Sequence, residues 1–288
     1  WGSAMGDVDV DGKPDLCAAN YSSNTVSVYR NVSTSGAIDA ASLQAKVDFT
    51  TGASPVDVAV GDLDGDGKPD MGVLNYAGNT VSVFRNTGSS GTVDASTFAA
   101  RVDFTTGTSP YALVICDLDG DGKPDLVASN YNSGTFSVLR NTCVPGAIDA
   151  SSFAAKMDFS TGTNPRSVVA GDLDGDGKPD VAVANYSSNT VSVFRNSSTA
   201  GYIEASSFAT KVDFVTAGGP YGLALGDVDG DGKAELVTGN YLAGSLSILR
   251  NTATSGSIDA SSFATKVDFA AGTNPADVSV GDVDGDGR

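Results

Sequence analysis

Six stretches of the chain carry aspartate at every second position. Residues 62–70 read Asp-Leu-Asp-Gly-Asp-Gly-Lys-Pro-Asp, with acids at positions 1, 3, 5 and 9 and glycine at position 6. Carboxylates this close repel one another unless a cation sits among them. Calcium takes six to eight oxygens at about 2.3–2.6 Å; three close carboxylates, a backbone carbonyl near position 7 and a closing acid supply most of that shell. Gly67 permits the sharp turn that brings Asp70 round to close it. Magnesium fits less well, because it seldom uses an all-protein cage. The loops therefore predict calcium, about one ion per loop, five or six in total, with metal binding and folding coupled.

The predicted ligands are Asp7, Asp9, Asp11 and Asp15; Asp62, Asp64, Asp66 and Asp70; Asp117, Asp119, Asp121 and Asp125; Asp172, Asp174, Asp176 and Asp180; Asp227, Asp229, Asp231 and Glu235; and, in a sixth loop, Asp282, Asp284 and Asp286. An EF-hand would place Glu at position 12, where Val73 stands, and would flank the loop with helices. Lys13, Lys68, Lys123, Lys178 and Lys233 lie inside the loops and read as solvated charges.

The first acids of successive loops are 55 residues apart throughout. The 288 residues form a single array of five repeats (1–55, 56–110, 111–165, 166–220 and 221–275) and a partial sixth, 276–288. Within one period, Val56–Gly61, Met71–Asn75, Thr80–Arg85 and Phe98–Phe104 read as strands. They are rich in Val, Phe and Tyr and are separated by turn residues. Ala95–Ala100 could make a helical turn. Four antiparallel strands per repeat predict an all-β fold, a β-propeller of four-stranded blades. The alternative, a linear β-solenoid, has rungs much shorter than 55 residues.

Gly61-Asp-Leu-Asp-Gly-Asp-Gly-Lys-Pro-Asp70 between two strands, followed by Asn75-Tyr76 and Asn79-Thr-Val-Ser-Val-Phe84, resembles the FG-GAP/VCBS-type repeat. That family builds the integrin α-subunit head, bacterial surface proteins and some fungal lectins. The resemblance covers the whole chain. It implies a propeller with calcium between the first and second strands of most blades, the ions being mainly structural. It also implies an extracellular or cell-surface protein working in adhesion or structural assembly, with other copies, surface proteins or glycans as partners. The family commonly closes seven blades, where this chain has five and a cut-off sixth loop.

Composition narrows the chemistry. There are 35 acidic and 17 basic side chains, a net charge of −18, and no histidine. Phosphate backbones demand Lys and Arg, so nucleic acid is a poor partner. Without histidine, Ser-His-Asp and Cys-His nucleophile systems are excluded. The paired carboxylates belong to the loops, which leaves no catalytic residues to name and predicts a non-enzymatic protein. No apolar run is long enough to insert in a membrane. Of the 35 acids, 23 lie in the six loops, and six calcium ions would bring −18 to −6. Cys17, Cys116 and Cys143 are an odd number at unrelated repeat positions, which argues against a disulfide framework. Cys17 reads as a strand residue and Cys143 as an exposed loop thiol. Sequons at Asn20, Asn31, Asn185 and Asn196 offer glycosylation on exposed turns.

Antiparallel connectivity puts the Asp-rich loops on one face and the Asn-Tyr turns on the other. On the non-metal face, the residue after the proline of each Thr-Gly-x-x-Pro-type segment varies: Val56, Tyr111, Arg166, Tyr221 and Ala276. Tyr111, Arg166 and Tyr221 are the candidate ligand-binding residues of a lectin-like surface. The terminal first strand is surplus to five blades. It fits a window from a longer array, an overlapping closure, or pairing with another copy as a head-to-tail filament.

Overall fold

In the computed structural model, residues 2–282 are described. Twenty strands form five antiparallel sheets. The first blade holds β1 (Ser3–Gly6), β2 (Asp15–Asn20), β3 (Thr25–Tyr29) and β4 (Val47–Thr50); the second holds β5 (Pro55–Gly61), β6 (Asp70–Asn75), β7 (Thr80–Phe84) and β8 (Val102–Thr105). The third holds β9 (Pro110–Cys116), β10 (Asp125–Asn130), β11 (Thr135–Leu139) and β12 (Met157–Ser160). The fourth holds β13 (Pro165–Gly171), β14 (Asp180–Asn185), β15 (Thr190–Phe194) and β16 (Val212–Val215); the fifth holds β17 (Pro220–Gly226), β18 (Glu235–Asn240), β19 (Ser245–Leu249) and β20 (Val267–Ala270). Each sheet keeps chain order, so strands that follow one another in a blade are hydrogen-bonded neighbours. These are the blades of a β-propeller. No described residue is helical.

The contacts divide the chain into two compact units. The first comprises Trp1–Ile115, Gly122–Ala128 and Val138–Lys156. The second comprises Cys116–Asp121, Ser129–Ser137 and Met157–Arg288, so the division runs through the third repeat.

Inner strands are buried on both faces, which is why their sequences are near-continuous apolar runs; β6, β14 and β18 are buried along their whole length. In the first unit, Val26 and Val28 pack with Val58, Met71, Val73 and Phe84. In the second, Val191 and Val193 pack with Leu223, Leu236 and Leu249. The outer strand of one blade meets the next through an edge-to-face ring pair. Phe49 sits 5.1 Å from Phe98, Phe104 4.9 Å from Phe153, Phe159 4.8 Å from Phe208, and Phe214 5.0 Å from Phe263.

A polar row crosses each sheet inside this apolar setting. Asn75 Nδ2 donates to Ser82 Oγ at 2.8 Å, and Ser82 Oγ donates to Asp103 at 2.6 Å. Asn185, Ser192 and Asp213 repeat the row, as do Asn240, Ser247 and Asp268. The Asn amide nitrogens and Ser hydroxyls of the row are thus matched across strands, while Asn75 Oδ1 and Asn240 Oδ1 are buried without a donor.

Three sequence expectations change here. The fourth strand is shorter than Phe98–Phe104: it begins at Val102, and Phe98 makes only an isolated bridge to Asn86. The segment Ala95–Ala100 forms a turn instead of a helical turn, because Asp94 accepts the Ser96 N–H and its own N–H goes to Thr97 Oγ1. Cys143 is buried, 3% exposed, packed with Leu126, Leu139 and Phe153. Burial raises its thiol pKa.

Candidate metal centres

Each Asp-rich loop joins the innermost strand of a blade to the second. Its closing acid begins the second strand and is buried: Asp15, Asp70 and Asp180 are inaccessible to solvent, and Glu235 nearly so. In the second loop, Asp70 Oδ2 accepts the N–H groups of Leu63 and Asp64 at 3.0 and 3.2 Å, while Oδ1 accepts that of Asn86 at 2.7 Å. Asp62 accepts from Asp66 and Gly67, which pulls the loop into a tight curl. Gly67 sits at φ 85°, in left-handed space where a side chain would be strained.

The curl gathers carboxylates. Oxygens within 4.8 Å of one another come from Asp7, Asp9 and Asp15; from Asp62, Asp64 and Asp66; from Asp172, Asp174 and Asp180; and from Asp227, Asp229 and Glu235. The third loop passes from the second unit to the first, with Asp117, Asp119 and Asp121 in the one and Asp125 in the other. Asp282 lies among the described residues, whereas Asp284 and Asp286 lie outside them.

Arginines at the end of the third strand complete the first, second and fourth centres. Arg85 Nε donates to Asp64 at 2.5 Å and Nη2 to Asp66 at 2.8 Å. Arg195 does the same to Asp174 and Asp176 at 2.7 and 2.8 Å, and Arg30 bridges Asp9 and Asp11. The acids at loop positions 3 and 5 are therefore held in a fork as well as offered to a cation. The lysines are not simply solvated, as their sequence context suggests. Lys68, Lys123, Lys178 and Lys233 each donate Nζ to a carbonyl of the third-to-fourth-strand connection at 2.7–2.9 Å.

The donor set fits one divalent cation per loop. In the first, second and fourth loops, four carboxylates, one Lys and one Arg leave two negative charges. Asp9 Oδ1 and Asp119 Oδ2 are buried without a hydrogen-bond donor. A buried carboxylate oxygen in that position is costly unless a cation meets it. Burial pushes the carboxyls of Asp70 and Asp180 up to about 7 and also raises those of Asp15 and Asp119.

Successive loops are tied together. The side chains of Asn86, Asn141, Asn196 and Asn251 donate to the carbonyls of Val8, Leu63, Leu118 and Leu173, the second residue of the preceding loop, at 2.7–2.9 Å. Gly91, Gly146 and Gly256 donate N–H groups to the carbonyls of Asp9, Asp64 and Asp174. Neither these asparagines nor the arginines stand out as ligand types. Their signal is the Arg-Asn pair recurring at 30–31, 85–86, 140–141, 195–196 and 250–251. The FG-GAP-like repeat model matches residues 7–73, 63–128, 127–183 and 172–238, and the FG-GAP repeat model matches 219–258.

The chain belongs to the FG-GAP repeat family. No curated protein sequence matches it significantly. Among solved structures, it is similar to virginiamycin B lyase from Staphylococcus aureus, with a TM-score of 0.57 and 10% identity over 94% of this chain and 69% of the lyase. It is similar also to a functionally unknown protein from Desulfotomaculum acetoxidans, with a TM-score of 0.51 and 12% identity over 94% of this chain and 89% of that one. At such identities the likeness concerns the fold alone.

On the face away from the FG-GAP loops, the candidate ligand residues are placed as follows. In the second unit the Arg166 guanidinium lies over the rings of Tyr221, Tyr186 and Tyr131, at 4.1, 4.7 and 4.9 Å from their centroids. Tyr221 stacks on Tyr241 at 5.4 Å. In the first unit, Tyr111 meets Tyr76 edge-on at 6.3 Å. None of the four sequon asparagines lies on an exposed turn: Asn20 ends β2, and Asn31 is half-buried in a bridge to Leu43. Asn185 and Asn196 are fully buried, with their amides bonded to Ser192 and to the Leu118 and Pro179 carbonyls.

Proposed function

We propose that this FG-GAP repeat chain is a calcium-stabilised, non-enzymatic propeller module of the cell surface or extracellular space, serving adhesion or structural assembly. The observation that carries the calcium reading is Asp9 Oδ1, a buried carboxylate oxygen with no donor in a loop that retains two uncompensated charges. All-oxygen donors on a tight loop suit a hard divalent cation. The surface role rests on the family resemblance and on the millimolar calcium available outside cells. No helix of the described residues is long and apolar enough to cross a membrane. Partners of the module are other copies, surface proteins or glycans.

Melting with calcium and with EDTA tests the metal. The expected result is a melting temperature that falls on chelation, with calorimetric titration returning about one ion per complete loop. An unchanged melting temperature and no binding heat overturn it.

A lectin is the second reading, favoured by the aromatic and basic cluster around Arg166 on the non-metal face. Glycan-array binding that disappears in Arg166→Ala and Tyr221→Ala supports it; an array blank for the unaltered chain removes it.

A further inference from the structure

Sixteen of the 17 basic side chains recur at three positions of the repeat, those of Lys68, Arg85 and Arg101. In the second blade these three serve the blade itself. Lys68 reaches the Gly88 carbonyl, Arg85 forks Asp64 and Asp66, and Arg101 pairs with Asp103. Arg166 is the seventeenth, and its counterparts in the other repeats are Val56, Tyr111, Tyr221 and Ala276. The blade architecture therefore does not call for a cation at this position.

The second unit nevertheless builds a setting for it. Pro165 pairs with Asn185 and Ser167 with Ala184, so the ladder steps over Arg166 in a β-bulge. A bulge turns its extra residue out of the regular alternation of the strand. The buried Ser129 Oγ donates to the Arg166 carbonyl at 2.9 Å and fixes the backbone there. Asn164, at φ 56°, ties down the two turns that flank the bulge. Its Nδ2 donates to the Tyr131 carbonyl at 3.2 Å, its Oδ1 accepts from Ser187 Oγ at 2.7 Å, and its carbonyl accepts the Tyr186 N–H at 3.0 Å. Tyr221 is the corresponding bulge residue of β17. Tyr131, Tyr186 and Tyr221 thereby stand within 4.9 Å of the guanidinium, and Tyr241 stacks on Tyr221. All four rings and Arg166 itself are half-buried.

Ring faces attract the charge of a guanidinium but offer its N–H fork no oxygen. A carboxylate matches that planar fork with two parallel hydrogen bonds. The C–H face of a sugar ring packs on aromatic faces. The hydroxyls of Tyr186 and Tyr241 make no hydrogen bond among the described residues, and each can both donate to and accept from a sugar hydroxyl. We infer that the Arg166 cage binds the carboxylate of an acidic sugar, a hexuronate unit of a glycan. Arg166 takes the carboxylate, and the tyrosines around it take the sugar ring and its hydroxyls. On a chain of net charge −18, this cation makes an anionic ligand specific to one place.

The inference rests on the lectin reading and names its ligand class. Calorimetric titration of the full chain in calcium buffer tests it, with trigalacturonate, its methyl ester and sulfated maltotriose as probes and thermal melts to confirm folding. Trigalacturonate should bind, and methyl esterification or Arg166→Gln should each weaken it at least about tenfold. Arg166→Lys, which keeps the charge and loses the fork, should also bind more weakly than the unaltered chain. Arg101→Gln, an equal loss of charge in the first unit, should bind as the unaltered chain does. No binding of trigalacturonate overturns the inference, as does equal binding of acid and ester, binding of the sulfated probe alone, or an Arg166→Gln variant that binds like the unaltered chain. A glycan array positive only for neutral sugars would overturn the acidic ligand and leave the lectin reading standing; a blank array removes both.

Discussion

The Asn86 side-chain amide donates to the main-chain carbonyl of Val8 at 2.7 Å, across 78 residues of sequence. The Asn86 backbone N–H donates to Asp70 Oδ1. One buried residue therefore touches the Asp-rich loops of two successive blades, and the pattern recurs at Asn141, Asn196 and Asn251.

Truncating that amide strands a buried carbonyl. Asn86→Ala should destabilise the chain by about 2–3 kcal/mol and weaken calcium at the first and second loops together. Denaturant unfolding with and without calcium measures both. A loss below about 0.5 kcal/mol, the size of an ordinary surface substitution, would refute the coupling.

Removing the metal should invert the pH dependence of stability. In the metal-free protein burial raises Asp70 and Asp180 from 3.8 to about 7. Between those values the folded chain holds protons that the unfolded chain has released, so stability declines as pH rises through the window. The lowered carboxyls of Asp48 and Asp268, paired with Lys46 and Lys266, contribute only below it. With calcium bound, acid competes with the ion and the order reverses. EDTA-treated protein should melt higher at pH 5 than at pH 8, and calcium-loaded protein lower; an EDTA-treated chain that gains stability from pH 5 to 8 contradicts the assignment.

The first loop carries strain that the others avoid. Val10 sits at φ 53°, where Gly65, Gly120, Gly175 and Gly230 stand in the other loops at 69–78°. A β-branched residue is disfavoured there, and Val10 is 45% exposed, so little packing is at stake. Val10→Gly should stabilise the protein by about 0.5–1 kcal/mol, the left-handed penalty less the entropy of the new glycine. A lower melting temperature in the variant would show the strain to be absent.

Metal should leave the fifth loop first. Its Asp229 is exposed, where Asp9, Asp64, Asp119 and Asp174 are buried. Exposed carboxylates are screened by water and less firmly held. Asp229→Asn should lower the calcium-loaded melting temperature less than Asp64→Asn; equal losses would count against a graded series.

The 55-residue period and the spacing of the acids were enough to name the blades and the loops. Those are local properties: apolar runs between turn residues choose strands, and three of the four acids of a glycine-bent loop come within 4.8 Å of one another. Partnership between blades is not local. Arg85 looks like a strand-end charge until the second and third strands align and place it on Asp64 and Asp66. Cys143 looks like a loop thiol until the connection folds under the blade, and Asn196 looks like a sequon until its amide meets a carbonyl 78 residues away. A repeat sequence specifies identical surfaces, and only the tertiary structure decides which of them find a neighbour.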